Sequence, residues 1–301
     1  MEPVVMRIVE VILAPILALL IGMFFLGLAR KIMARIHWRY GPPITQPVID
    51  VIRLFSQKSV SHGNMFTLGV LFSLACSLVL ILFLPMGKIC PLSSSGGMLV
   101  ILYVMLLAPF GIALSGGEAA NPNASIGISR KLTLALGYEV PLLVILLAVM
   151  THYKTLSIVN IVSMQQNTSW ALTSLPLFLS GIAYILILPA ILGIRPFEIT
   201  QAAQEISSGP MVEYGGSFLA LATIQHGLNL FIGIALFVNL FLGGAGNPPI
   251  FFLKMLVVFV LGLFINAALP RLRIEQAMRY LWRWPTLIAF IGMIIVLIIR
   301  R

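Results

Sequence analysis

Glu198, Glu205 and Glu213 lie in one segment, GIRPFEITQAAQEISSGPMVEYGG from Gly193 to Gly216, that is too polar to span a membrane and too apolar to be a solvated linker. Carboxyl groups bind and release protons, so three of them within sixteen residues, set between Arg195 and the next apolar run, could hand protons along. Glu198 and Glu205 are seven apart, and a helix would project both from nearly one face, with Gln201 and Ala202 between them. Gly209 and Pro210 would then break the helix and bring in Glu213 from the next segment. The competing reading is a solvated acidic loop.

A second stretch, SGGEAANPNASIGISRKLTLALGYEVP from Ser115 to Pro141, carries Glu118 and Glu139. Gly116, Gly117, Asn121, Pro122 and Asn123 argue against regular helix at its start, and Arg130 and Lys131 mark the return to the membrane. Glu139 follows Arg130 by nine residues, about 14 Å along a helix. A charge at that depth costs several kcal/mol unless it is hydrated, paired or protonated. The expected role is a proton-carrying carboxyl in a polar cavity, and the alternative is a partner for a buried arginine.

A third stretch, Arg30 to Asn64, opens with the basic cluster Arg30, Lys31, Arg35, His37 and Arg39 and continues through GPP to QPVIDVIRLF. Val48, Ile49, Ile52 and Phe55 recur at helical spacing, with Asp50 and Arg53 elsewhere on the wheel, which predicts a short helix along the membrane interface.

The elements that must position these groups are membrane spans. With 60% hydrophobic and 9% charged residues and a mean hydropathy of +1.06, the chain cannot keep its apolar surface from water as a soluble globule. Apolar runs able to cross roughly 30 Å of hydrocarbon occur about eight times, near 8–29, 66–86, 97–115, 132–150, 171–193, 217–242, 250–269 and 284–299. The runs are continuous, so the expectation is an all-α polytopic transmembrane bundle, a single integral membrane domain over 1–301, and not a strand barrel. The first run contains Glu10 and is followed by Arg30 and Lys31 instead of a cleavage site, so it reads as a span and not a signal peptide.

Thirteen of the 19 basic residues fall on the side that holds the loops after spans 1, 3, 5 and 7. That side is expected to be cytoplasmic, with both termini outside and long cytoplasmic loops carrying short interfacial helices. Seven of the nine acidic residues, Asp50, Glu118, Glu139, Glu198, Glu205, Glu213 and Glu275, lie in or near those same loops.

Several function classes are disfavoured. The net charge of +10 comes from scattered cations flanking apolar helices, as topology requires, so no nucleic-acid partner is expected. Cys76 and Cys90 form no CxxC, and His37, His62, His152 and His226 show no ligand spacing and read as loop or packing residues. Asp50 is the only aspartate, which removes the clustered carboxylates that a Mg²⁺-diphosphate lipid enzyme needs. A stand-alone ion transporter would usually show two similar halves, and no such repeat is visible. GGAGNPP at 243–249 lacks the lysine of a phosphate-binding loop and reads as a turn, and Trp282 and Trp284 beside Arg279 and Arg283 read as an interfacial anchor.

The strings RYGPPITQPVIDVIRLF, IRPFEITQAAQEISSGPMVEYGG and PRLRIEQAMRYLWRWP resemble three loops of the respiratory complex I subunit that joins the membrane arm to the hydrophilic arm. QKSVSHG at 57–63, with Ser59 where complex I usually has an acid, and the Glu118 to Glu139 stretch with Ser129 and Arg130 resemble the energy-converting membrane-bound nickel–iron hydrogenases. The resemblance implies a multi-pass subunit of a prokaryotic cell membrane with no redox centre of its own. It would link oxidation of reduced ferredoxin by partner subunits to proton or sodium movement.

It further implies a nickel–iron centre and iron–sulfur clusters in peripheral hydrogenase-like large and small subunits on the cytoplasmic face, with antiporter-like and small membrane subunits alongside. Carried over, Glu118, Glu139, Glu198, Glu205 and Glu213 become a proton pathway, and Arg39, Asp50, Arg130, Arg195, Arg271 and Arg273 become coupling or docking residues. The alternative that the resemblance leaves open is the equivalent subunit of a quinone-reducing complex I or of a sulfur-reducing relative. Where the family's acidic loop usually carries two further glutamates, this chain has Gln201 and Ala203, so its proton path is expected to be rerouted or specialised.

Overall fold

The computed structural model describes residues 2–92, 96–119 and 121–299. Arg300 and Arg301, counted above among the outer basic residues, and Ala120 of the second stretch lie outside the described residues. In chain order the helices are α1 (Glu2–Ile36), α2 (Gln46–Phe55), α3 (Asn64–Phe83), α4 (Gly97–Glu118), α5 (Pro122–Tyr153), α6 (Ile158–Asn167), α7 (Leu175–Leu192), α8 (Ala203–Ile206), α9 (Gly216–Phe241), α10 (Pro248–Ala268) and α11 (Ile274–Ile299). All but α2, α6 and α8 are long and apolar enough to cross a membrane, so the described chain has eight candidate spans.

α9 is the central pole. It is apolar on every side, and nearly all of it from Leu228 to Phe241 is buried, as a helix enclosed by other helices must be. It packs against α1, α2, α3, α7 and α10. Glycine permits the closest of these approaches: a Cβ at Gly22 of α1 would sit 2.7 Å from the carbonyl carbon of Gly227. α3 and α4 meet in the same way, since a Cβ at Gly111 would lie 2.6 Å from the Ser73 nitrogen. Tyr184 of α7 donates to the Gly233 carbonyl oxygen of α9 at 2.8 Å, satisfying a phenol that is wholly buried.

Two spans outlast the bilayer. α1 has 35 residues and α5 has 32, about 52 and 48 Å at 1.5 Å per residue, so each extends beyond the hydrocarbon. The extra turns carry Arg30, Lys31 and Arg35 at the end of α1 and Arg130 and Lys131 near the start of α5. Both extensions fall on one face, here called the basic face, which also holds α2, the 193–214 loop and the α10–α11 loop.

Three expectations are corrected. The 197–206 stretch is not one helix: it runs as turns, with only α8 helical, and Ala202, Ser207 and Ser208 have positive φ. Phe197, Ile199, Ala202 and Ile206 are all buried, at spacings that no single helix face can supply. Gly116 and Gly117 do not stop α4, which continues to Glu118. Gly116 is buried against α5, where its Cβ would meet Ile128 at 2.8 Å, so packing overrides propensity. The fifth span starts at Leu175, after a 3₁₀ turn over Ala171–Thr173.

On the opposite face α6 closes the bundle. Its Gln165 donates to the Leu240 carbonyl at 2.9 Å, and Lys254 of α10 donates to the Leu242 and Gly244 carbonyls at 2.6 Å each. These bonds satisfy the carbonyls freed at the end of α9.

Candidate functional site: charged clusters on the basic face

The 193–214 loop delivers its carboxylates to arginines on two other elements. Arg195 Nε donates to Glu198 Oε2 at 3.1 Å, and Arg271 Nη2 lies 3.6 Å from the same oxygen. Arg271 Nη1 then lies 3.9 Å from Glu205 Oε1, while Arg130 Nη1 donates to Glu205 Oε2 at 2.9 Å. The result is an alternating chain, Arg195–Glu198–Arg271–Glu205–Arg130, drawn from the acidic loop, the α10–α11 loop and α5.

Glu198 and Glu205 therefore meet through Arg271 and not through helical register. Arg195, Arg271, Glu205 and Arg130 of this chain line a cavity of about 840 Å³ that Arg273 and Glu275 also line, and Arg273 itself is exposed. With Glu205 half exposed, these pairs add little to stability. Four arginines and two glutamates line the cavity, which leaves it positive and suited to respond to charge arriving from outside.

A second cluster forms around Glu213. Asn121 Nδ2 donates to Glu213 Oε1 at 2.8 Å, and His62 Nε2 lies 3.4 Å from Oε2. The His62 ring meets Phe66 edge-on at 5.1 Å. Glu118 accepts from the Phe66 amide in the first turn of α3, where a carboxylate also meets the positive end of the helix dipole. A Cβ at Gly63 would strike the Glu118 carboxylate, so the glycine is what lets α3 begin there. Behind this cluster, Tyr214 Oη and Ser115 Oγ are buried beside each other, with no other hydrogen-bond partner. Burial pushes the Tyr214 phenol up from its ordinary pKa, and the nearby Ser115 hydroxyl pulls it partly back.

Glu139 joins neither cluster. It sits in α5 about 14 Å along the helix from Arg130, in a cleft of about 180 Å³ between α4 and α5 lined by Leu102, Met105, Leu106 and Leu143. Asp50 is separate too: it pairs with Arg30 Nη1 at 3.2 Å and accepts from Gln46 Nε2 at 2.8 Å. The Arg30 pair ties α2 to α1, and Val48, Ile49, Ile52 and Phe55 are left exposed, the face an interfacial helix presents to lipid. Arg39 is exposed beside Tyr40, whose ring lies under Lys31 Nζ at 4.9 Å.

His62 was read from sequence as a loop or packing residue, yet it is a partner of Glu213. The two are 151 residues apart, and nothing in their spacing signals the contact.

Residues 9–297 match the family described as NADH dehydrogenase. The chain belongs to that family. Hydrogenase-4 component C of Escherichia coli is 34% identical over 277 residues, covering 85% of each chain. NADH-ubiquinone oxidoreductase chain 1 of Emballonura alecto is 31% identical, covering 92% of each. Among solved structures, a chain of the membrane-bound sulfane sulfur reductase, an archaeal respiratory membrane complex, superposes with a TM-score of 0.93 at 36% identity, covering 96% of this chain and 99% of that one. Like these relatives, this member of the NADH dehydrogenase family is a multi-pass membrane subunit of the complex I-like and hydrogenase-like class.

Proposed function

We propose that this chain is the non-redox anchor and coupling subunit of a ferredoxin-oxidising, hydrogenase-type complex in a prokaryotic cell membrane. The basic face is cytoplasmic, both termini lie outside, and the peripheral large and small subunits dock on that face carrying the nickel–iron centre and iron–sulfur clusters. Antiporter-like and small membrane subunits flank the bundle within the bilayer. One observation carries the reading: two carboxylates of a single loop are held by three arginines, and those arginines line an open, positive cavity on the basic face.

The mechanism is electrostatic. Negative charge added to a docked partner on reduction would weaken the hold of Arg195, Arg271 and Arg130 on Glu198 and Glu205 and raise the carboxylates' proton affinity. Each tenfold change in that affinity corresponds to about 1.4 kcal/mol. Protons taken up there, with Glu213 and Glu118 behind, feed Glu139 within the membrane.

The 36% identity to the sulfane sulfur reductase chain supports a second reading, in which the terminal acceptor is a sulfur compound. The nickel content of the complex co-purified in mild detergent separates the two. About one nickel per complex is expected for the hydrogenase type, and none, with the peripheral subunits present, makes the complex a sulfur- or quinone-reducing relative.

Asp50→Asn tests docking. The exposed Arg30 pair contributes at most about 1 kcal/mol, so the subunit should stay folded. The yield of intact complex on size-exclusion in mild detergent should fall severalfold, and an unchanged yield removes Asp50 from the docking surface.

A further inference from the structure

The basic-face ends of α7, α10 and α11 enclose an apolar groove of about 350 Å³ that the coupling role does not use. Its lining comes from Ile185, Leu186 and Pro189 of α7, Ile265 of α10, Tyr280 of α11 and the buried Phe197 of the acidic loop. The Phe197 and Tyr280 rings meet at 5.8 Å, and the Leu272 amide donates to the Pro196 carbonyl at 3.0 Å, so the two loops at the groove are held to each other. The space is formed before anything enters it and falls in the range of small-molecule sites, roughly 300 to 1,000 Å³.

Its depth and its charge say what fits. Ile185 lies seven residues before the end of α7, Ile265 three before the end of α10 and Tyr280 six after the start of α11, so the groove reaches only about 10 Å below the basic-face end of the bundle. A partner helix crossing the bilayer would need a seat along most of roughly 30 Å of hydrocarbon, whereas the upper part of one lipid chain needs no more than this. Leu272 lines both the groove and the 840 Å³ cavity, and Arg271 and Arg273 flank it in sequence. Arg271 stands 3.6 and 3.9 Å from its carboxylates, beyond hydrogen-bond reach, and its buried Nε has no partner. Arg273 is exposed, and no ion pair of the described residues engages it. Arg130, Arg195, Arg271 and Arg273 face Glu198, Glu205 and Glu275, so positive charge is left over beside the groove.

We propose that the groove and these arginines hold one anionic phospholipid, with a hydrocarbon chain between α7 and α10 and the headgroup phosphate on Arg273 and Arg271. An apolar groove alone would take any hydrocarbon, and exposed arginines alone would take any anion. Side by side they select a molecule that carries both, because phosphate oxygens match the guanidinium fork. A zwitterionic headgroup brings an ammonium toward the same arginines, so a net negative headgroup is preferred. The bound phosphate also places a fixed negative charge beside Arg271, the bridge between Glu198 and Glu205. The site goes beyond the coupling role and stands whichever acceptor the complex uses.

The test uses the whole complex in mild detergent and phosphatidylglycerol carrying a photoreactive diazirine in one chain, with the cross-linked peptides identified by mass spectrometry. Label should appear on the 185–189 and 265–269 segments, and unlabelled phosphatidylglycerol should compete it away at about tenfold lower concentration than phosphatidylcholine. Arg273→Gln has no ion pair to lose and should keep the fold, yet the label on these segments should fall about fivefold. Leu186→Trp fills the groove, leaves the arginines in place and should abolish the label there. Equal competition by the two lipids, or undiminished label in Arg273→Gln, means a layer of surrounding lipid only and overturns the site. Undiminished label in Leu186→Trp, or displacement by inorganic phosphate as effective as by phosphatidylglycerol, removes the chain from the groove and overturns it too. So does a membrane subunit cross-linked at these segments in place of the lipid.

Discussion

Glu139→Gln should reduce ion translocation more than about 100-fold while the complex remains assembled. The amide matches the carboxyl in shape and still donates and accepts hydrogen bonds, but it cannot bind and release a proton. The cleft around Glu139 is bounded by leucines and a methionine, and no arginine or lysine lines it. A paired structural charge would be expected to face such a cation. The substitution removes a charge that is costly inside the bilayer, so the subunit should be at least as stable as the parent. The measurement is dye-detected pumping in vesicles beside the yield of intact complex. Loss of assembly would make Glu139 a structural residue, and normal pumping would remove it from the pathway.

The spans and α2 were legible because their signals are local. Hydropathy over about twenty residues and the spacing of Val48, Ile49, Ile52 and Phe55 each require only the segment itself. α6 carried the same kind of signal, with Ile158, Ile161, Val162 and Gln165 buried on one face, but ten residues are too few to stand out beside full spans. The acidic loop was legible as neither span nor linker, and its structure was not legible. Phe197 and Ile199, two apart, are both buried, a spacing that already argued against the helix assumed for Glu198 and Glu205. The pairing of His62 with Glu213, and the cap that Glu118 places on α3, depend on tertiary contacts between distant segments. The bonds of Gln225 to Ser73 and of Ser77 to Asn229 were hidden for a related reason: single serines and amides inside apolar runs look like tolerated exceptions until α3 and α9 align them.

Arg271→Met separates coupling from stability on the basic face. Arg271 is the only group that touches both Glu198 and Glu205 among the ion pairs of the described residues. Its loss leaves Glu198 with Arg195 and Glu205 with Arg130, so neither carboxylate is abandoned. With contacts of 3.6 and 3.9 Å and partly exposed carboxylate partners, the cost in stability should stay within about 1 kcal/mol. The effect on coupling should be far larger, because the two carboxylates then respond to arriving charge as separate ion pairs. Ions moved per electron should fall about tenfold.

Arg271→Lys should recover only part of that loss, since an ammonium is a point charge and cannot span two carboxylates as a planar guanidinium does. Full recovery by lysine would mean that net charge, and not the bridge, sets the coupling. If Arg271→Met instead releases the peripheral subunits, the arginine belongs to the docking surface and the coupling assigned to the Glu198–Arg271–Glu205 bridge is wrong.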